Sequence, residues 1–255
     1  MATGLCPLCV TEGDLRESHV IPNAYFRAMK NQRAGGQLIS FNSLPHDKVR
    51  LSNESWSEAM LCGPCEGNLS KLETRCIVSL RRTATKIEES AGDGTLLYSY
   101  EFGVLSRFLL SVLWRAAVSK QEPFAQVTLA PQLHEDIRST LMNENATVTK
   151  LVSCQIKKIR DGSRRISPTK YEGIAISPVA TFRGGTVKFV FIFAGYLVNY
   201  FIPYVHAKSR RQLGFVKPGR QLFVPTVNMK DIPELMHALA AGYGKIHTGK
   251  ITFEA

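Results

Sequence analysis

The 255-residue chain carries 32 Lys and Arg against 21 Asp and Glu, which gives a formal net charge of +11. Its content of 44% hydrophobic and 21% charged residues is typical of a globular protein and excludes a disordered chain. The length allows one large or two small domains, and the first residues lack the basic and apolar parts of a secretory signal, so we expect a cytoplasmic protein.

Two pairs of cysteines lie far apart near the start of the chain. Cys6 and Cys9 form one Cys-x-x-Cys knuckle, and Cys62 and Cys65 form the second. Four thiolates are the ligand set of a closed tetrahedral zinc site, and a reducing compartment favours metal binding over disulfides. The spacing therefore predicts one structural zinc ion that closes a long loop.

A strand that carries a histidine is predicted inside this loop. Residues 15–21 are expected to be extended, because Pro22 keeps the residue before it out of a helix. Ser18 and His19 lie next to each other near the end of this strand. Residues 23–30 then favour a short helix.

A polar loop and a longer helix complete the N-terminal part. Residues 33–50 contain glycine, proline and charged residues, which predict a loop. Apolar residues at helical spacing then predict a helix of about four turns from Cys65 onward. Glu66 falls in the first turn of this helix, and Asn68 and Glu73 follow it.

The rest of the chain changes from a helical to a strand-like pattern, so we predict an α+β protein with a domain over 1–91 and a second over 92–255. Gly92-Asp93-Gly94 is the strongest boundary signal. Residues 102–118 are apolar almost all round, which predicts a central buried helix, and two arginines within them argue against a membrane span. Further elements are predicted as a surface helix at 131–143, strands at 151–156, 171–176, 187–202 (split at Gly195) and 222–225, and a closing helix at 232–239.

The positive charge is concentrated in the C-terminal half. Residues 1–130 hold a net charge of +1, and residues 131–255 hold +10. Such a field favours a polyanion, with nucleic acid first, although a solvated basic surface without a ligand is the plainer alternative. The candidate phosphate-binding residues are Lys157, Lys158, Arg164 and Arg165.

The order of the N-terminal motifs resembles the zinc-stapled HNH endonucleases, over about residues 5–75. The segment from His19 to Pro22 matches the strand of that family, and Cys62-x-x-Cys65 matches the start of its helix. The resemblance implies a ββα-metal core in the N-terminal domain. Two positions depart from the family pattern, because Ser18 stands where a metal-binding Asp is usual and Glu66 stands where the last His or Asn falls.

The resemblance also implies a reaction, the hydrolysis of DNA phosphodiester bonds with a divalent metal. His19 is the candidate general base, and Glu66 and Ser18 are candidate ligands of a catalytic Mg²⁺ or Mn²⁺. The simpler alternatives are that His19 is a structural histidine and that Glu66 only interacts favourably with the helix dipole. Residues 108–116 are similar to bacterial HNH-type proteins, some of them found among phage-defence genes, which implies a role in antiviral defence.

A second hypothesis comes from a different class of protein. A non-catalytic zinc-binding module would recognise nucleic acid or a protein partner, and Ser18 favours it because a hydroxyl is a poor metal ligand. A membrane-surface protein is disfavoured, since the basic segment is strand-like rather than an amphipathic helix. A protein partner and a homodimer both stay open.

Overall fold

The structure is a computed structural model that describes residues 2–31, 38–41, 49–52, 56–84, 94–98, 100–143, 151–163, 174–206, 208 and 213–247. These residues form two β-sheets and five α-helices, and the α+β class is confirmed. The strands are β1 (Ala2–Cys6), β2 (Thr11–His19), β3 (Leu38–Phe41), β4 (Val49–Ser52), β5 (Ser57–Cys62), β6 (Gly94–Tyr98), β7 (Ser153–Arg160), β8 (Ile174–Arg183), β9 (Thr186–Phe193), β10 (Tyr196–Ile202) and β11 (Gln221–Asn228). The helices are α1 (Asn23–Asn31), α2 (Gly63–Ala84), α3 (Phe102–Val118), α4 (Pro131–Met142) and α5 (Pro233–His247).

A small antiparallel sheet with the order β1-β2-β5 forms the N-terminal unit. β1 and β2 make a hairpin, and β5 pairs with the other edge of β2 so that His19 lies opposite Ser57. α2 begins at Gly63, directly after β5 ends at Cys62. The unit therefore has a strand hairpin, a third strand and a helix that starts at the second knuckle.

A larger sheet forms the centre of the molecule, with the order β4-β3-β8-β9-β10-β7-β11-β6. β3 pairs with β8 in parallel, so this sheet joins strands from both sides of the predicted boundary. The boundary at 91 and 92 lies outside the described residues, and the division into two domains stays a prediction.

The buried helix α3 has the predicted bounds, Phe102–Val118, and most of its side chains are buried, including Trp114 at 0% exposure. It packs between α2 and α4 over one face of the large sheet, and α5 covers part of the other face. Within the described part of the chain, no helix is long and apolar enough to cross a membrane.

Part of the strand prediction was wrong. The loop expected over 33–50 contains β3 and the start of β4, and β1, β5 and β6 were not expected as strands. β3 and β4 have only four residues each, which is too short for an alternating pattern to be distinctive. The turn at Gly195 does separate β9 from β10 as expected, and Gly195 has the positive φ of 76° that such a turn requires.

Candidate functional site

The four knuckle cysteines come together in space. Their Sγ atoms all lie within 4.8 Å of one another, and the Sγ atoms of Cys9 and Cys62 are 3.6 Å apart. Sulfur atoms around a tetrahedral zinc ion lie about 3.8 Å apart, because each Zn–S bond is about 2.3 Å. The cluster of Cys6, Cys9, Cys62 and Cys65 thus fits a zinc ion.

The local backbone explains how each pair of cysteines reaches the cluster. β1 ends at Cys6, and the amide of Val10 donates a hydrogen bond of 2.8 Å to the Cys6 carbonyl to close the knuckle turn. Val10 has a φ of 57°, a conformation that is costly for a β-branched residue and that the tight turn imposes. Cys65 reaches the cluster from the first turn of α2.

The thiols of the cluster differ in their readiness to ionise. Burial raises the pKa of Cys62 and of Cys65. Burial also acts to raise the pKa of Cys9, but hydrogen bonds from Thr11 and the neighbouring thiols outweigh it and lower the pKa to about 7. Metal ligation requires thiolates, and of Cys9, Cys62 and Cys65 it is Cys9 whose pKa lies nearest to neutral pH.

The remaining two cysteines are core residues. Cys76 on α2 and Cys154 on β7 are buried, and burial raises the pKa of each to about 12. Such thiols stay protonated and inert at neutral pH.

Ser18 and Glu66 are in direct contact although they lie far apart in sequence. The Ser18 hydroxyl donates a hydrogen bond of 2.6 Å to Oε2 of Glu66 and accepts one of 3.3 Å from the amide of Leu61. Ser18 is fully buried and Glu66 is half-buried. The predicted pair of metal ligands is therefore adjacent, and a hydrogen bond already joins its two members.

His19 is the last residue of β2 and is half-buried. Its ring lies beside Phe26, with ring centroids 6.3 Å apart. Neighbouring side chains on a strand point to opposite faces, so the imidazole leaves β2 on the face opposite to Ser18 and Glu66. The structure brings His19 to the end of β2 at which Ser18 contacts Glu66, and strand alternation places its side chain on the other face.

Arg115 is a residue of this region that the sequence analysis did not identify. It lies on α3 and is only 1% exposed. Its Nη1 donates a hydrogen bond of 2.6 Å to the carbonyl of His19, and its Nη2 lies 2.6 Å from Oε1 of Glu73 on α2. An arginine inside an otherwise apolar helix was the signal that could have identified it, because a buried charge requires a partner.

The contact between Arg115 and Glu73 is an ion pair, with 2.6 Å between Nη2 and Oε1. Burial raises the pKa of Glu73, the guanidinium opposes this rise, and the Glu66 carboxylate adds to it. Glu73 thus serves as the counter-ion of Arg115, which is a structural role.

The structure describes two of the four candidate phosphate-binding residues. Lys158 is exposed on β7, whereas its neighbour Lys157 is half-buried. Burial lowers the pKa of Lys157, and the nearby Lys188 lowers it further. Arg164 and Arg165 lie outside the described residues, so Lys158 is the better supported of the two described lysines.

No protein-family model, no curated protein and no solved structure matches this chain. Among the described residues, the four cysteines form the one group of three or more His, Cys, Asp or Glu that is close enough to hold a metal ion. What the protein does must therefore be inferred from the site itself.

Proposed function

We propose that the chain is a zinc-stapled nuclease that resembles the HNH endonucleases and hydrolyses DNA with Mg²⁺ or Mn²⁺. The supporting observation is that the end of β2 that carries Ser18 and His19 meets the first turn of α2, the helix that begins at the second cysteine knuckle. His19 pairs with Ser57 across β2 and β5, and Ser18 contacts Glu66 in the first turn of α2. The cysteine cluster lies at the start of the same helix.

The residues divide the chemistry among them. His19 would accept the proton of the attacking water, since a neutral imidazole has a suitable pKa at physiological pH. Glu66 would supply the negative charge that holds the divalent ion, and Ser18 would add only a neutral oxygen. The ion would stabilise the charge of the phosphate and the leaving oxygen. Basic residues of the C-terminal half would bind backbone phosphates without base specificity.

A non-catalytic zinc module is the second candidate function. It is favoured by the hydrogen bond from Ser18 to Glu66, which engages the candidate metal ligand in a buried structural contact. The position of His19 on the opposite face of β2 also favours it. Such a module would bind nucleic acid or a protein through the same scaffold without cutting.

Replacing His19 separates these two functions. His19→Ala should lower the rate of plasmid nicking by about two orders of magnitude or more, the usual contribution of a positioned base. Its zinc content and melting temperature should stay close to those of the wild type, because His19 is not a zinc ligand. His237→Ala, at an exposed position of α5, is the matched control and should keep full activity.

The assay uses supercoiled plasmid and a titration of Mg²⁺ and Mn²⁺ with zinc-loaded protein. A wild-type protein that binds DNA yet cuts it with neither metal would decide for the non-catalytic module.

A further inference from the structure

We infer that the end of α3 and the turn after it, residues 115–121, position the pair formed by His19 and Ser57. This inference rests on the proposed function, in which His19 is the general base. We call residues 115–121 the anchor segment. It lies about one hundred residues beyond His19 in the sequence, outside residues 5–75, which carry the motifs that resemble the HNH pattern.

The anchor segment holds both members of the pair by their backbone carbonyls. Nη1 of Arg115 donates a hydrogen bond of 2.6 Å to the carbonyl of His19. The side-chain amide of Gln121 donates to the carbonyl of Ser57. His19 and Ser57 lie directly opposite each other on β2 and β5, so the anchor segment contacts both members of one cross-strand pair.

The anchor segment also contacts the neighbouring cross-strand pair, which is formed by Ser18 and Glu58. Glu58 follows Ser57 on β5, and its carboxylate accepts a hydrogen bond from the hydroxyl of Ser119. The amide of Lys120 lies 3.1 Å from Oε1 and 3.3 Å from Oε2 of the same carboxylate. Glu58 is the cross-strand partner of Ser18, which contacts Glu66. The anchor segment therefore also contacts the strand pair beside the Ser18–Glu66 hydrogen bond.

The burial of Arg115 shows that this contact is more than surface packing. Its guanidinium is almost completely removed from water, which is unfavourable unless its donors are paired. Its Nε lies 3.3 Å from the carbonyl of Ser111, and its other nitrogens face His19 and Glu73. One side chain thus joins α3, β2 and α2 in a single arrangement.

Arg115 and Gln121 are positioning residues rather than catalytic ones, since they contact backbone carbonyls and act through His19. A displacement of about 1 Å at a reacting group can cost about 10²-fold in rate. Loss of the anchor should therefore slow the chemical step and leave the affinity for DNA unchanged.

The test compares Arg115→Met, Arg115→Lys and Gln121→Glu with the wild type under single-turnover conditions at saturating DNA. We expect a rate loss of about 100-fold for Arg115→Met, because it removes a donor that fixes the base. A carboxylate cannot donate to the Ser57 carbonyl, so Gln121→Glu should lose about 10-fold. Arg115→Lys should recover part of the loss, since its ammonium can still donate to His19. The Kd for DNA should stay within about twofold in all three, because the basic surface that binds phosphate is untouched.

Arg107→Met is the matched control. Arg107 lies two turns earlier on α3 and also donates to a backbone carbonyl, that of Leu141 on α4, at 3.3 Å. Its loss should lower stability without slowing the chemical step. An NMR readout independent of activity is the signal of the His19 ring, assigned by its disappearance in His19→Gln, which should shift in Gln121→Glu and stay in place in Arg107→Met.

The outcomes are distinct. An inert wild type overturns the proposed function and the positioning role with it. An active wild type with folded anchor variants that keep the full rate, or with Arg107→Met equally slow, overturns the positioning role alone. If Arg115→Met fails to fold, Gln121→Glu tests the positioning role instead. Gln121 is half-exposed, and its replacement removes only one hydrogen-bond donor at the edge of the core.

Discussion

Ser18 is fully buried and donates a hydrogen bond to the carboxylate of Glu66, at the position where the proposed HNH pattern would have an aspartate. A hydrogen bond to a charged group contributes about 1.5–3 kcal/mol to stability. The hydroxyl therefore stabilises Glu66 without a cation. An aspartate in its place would bring two carboxylates together in a buried site, which is unfavourable unless a cation lies between them.

Ser18→Asp should accordingly respond to divalent metal in a way that the wild type does not. Without metal it should be less stable by about 2 kcal/mol or more, since a donor is lost and a like charge is added. Millimolar Mn²⁺ should recover much of this loss, because the cation neutralises both carboxylates. Urea denaturation with and without Mn²⁺ measures both effects.

Ser70→Ala, at an exposed position of α2, is the control and should behave as the wild type. An equal response of Ser18→Asp and the wild type to Mn²⁺ would show that no divalent metal binds beside Glu66.

At the scale of elements, the small sheet and α2 depend on the cysteine cluster. β1 and β5 have only five and six residues, and a three-stranded sheet of this size buries little apolar surface by itself. The cluster ties the hairpin turn of the first knuckle to the first turn of α2. Zinc binding would thus contribute directly to the folding free energy of this unit.

Removal of one thiol tests this dependence. Cys62→Ser should reduce the zinc content to well below one equivalent and destabilise the protein by about 3 kcal/mol or more. This corresponds to a fall of about 6–12 °C in melting temperature for a chain of this size. Elemental analysis and thermal denaturation measure the two quantities.

Cys76→Ala provides the comparison, because Cys76 lies on the same helix, in the core and away from the cluster. It should lose stability through a small cavity but keep one equivalent of zinc. A wild-type protein that holds less than half an equivalent of zinc, with freely titratable thiols, would refute the zinc site.

Local sequence patterns predicted individual elements better than they predicted which elements contact each other. The bounds of α3 follow from an apolar run of 17 residues, and the cysteine cluster follows from the two spacings. The parallel pairing of β3 with β8 joins residues about 135 apart, and nothing in either short segment specifies the other. The hydrogen bond from Arg115 to His19 escaped prediction for the same reason, since it depends on how α3 packs against the small sheet.

On the scale of the whole molecule, the two sheets are formed by halves of the chain that differ in net charge. The small sheet belongs to the nearly neutral half of the chain, whereas most strands of the large sheet belong to the half with a net charge of +10. β8, β9 and β10 contain no acidic residue. If the protein binds a polyanion as proposed, the positively charged C-terminal half is the part of the chain that would attract it.

Binding to DNA should therefore depend on salt and on the basic residues of the C-terminal half. Replacing Lys157, Lys158, Arg164 and Arg165 together by Gln should lower the affinity for all sequences alike. The slope of log K against log salt should flatten by about one unit for each phosphate that is no longer neutralised, and Lys158→Gln alone should account for more of the change than Lys157→Gln, whose lysine is half-buried. Fluorescence anisotropy at several salt concentrations gives the slopes.

Lys71→Gln with Arg75→Gln, on the exposed face of α2, is the charge-matched comparison for the two lysines of β7. An unchanged slope in the fourfold variant, or an equal effect from the α2 pair, would place the binding surface elsewhere.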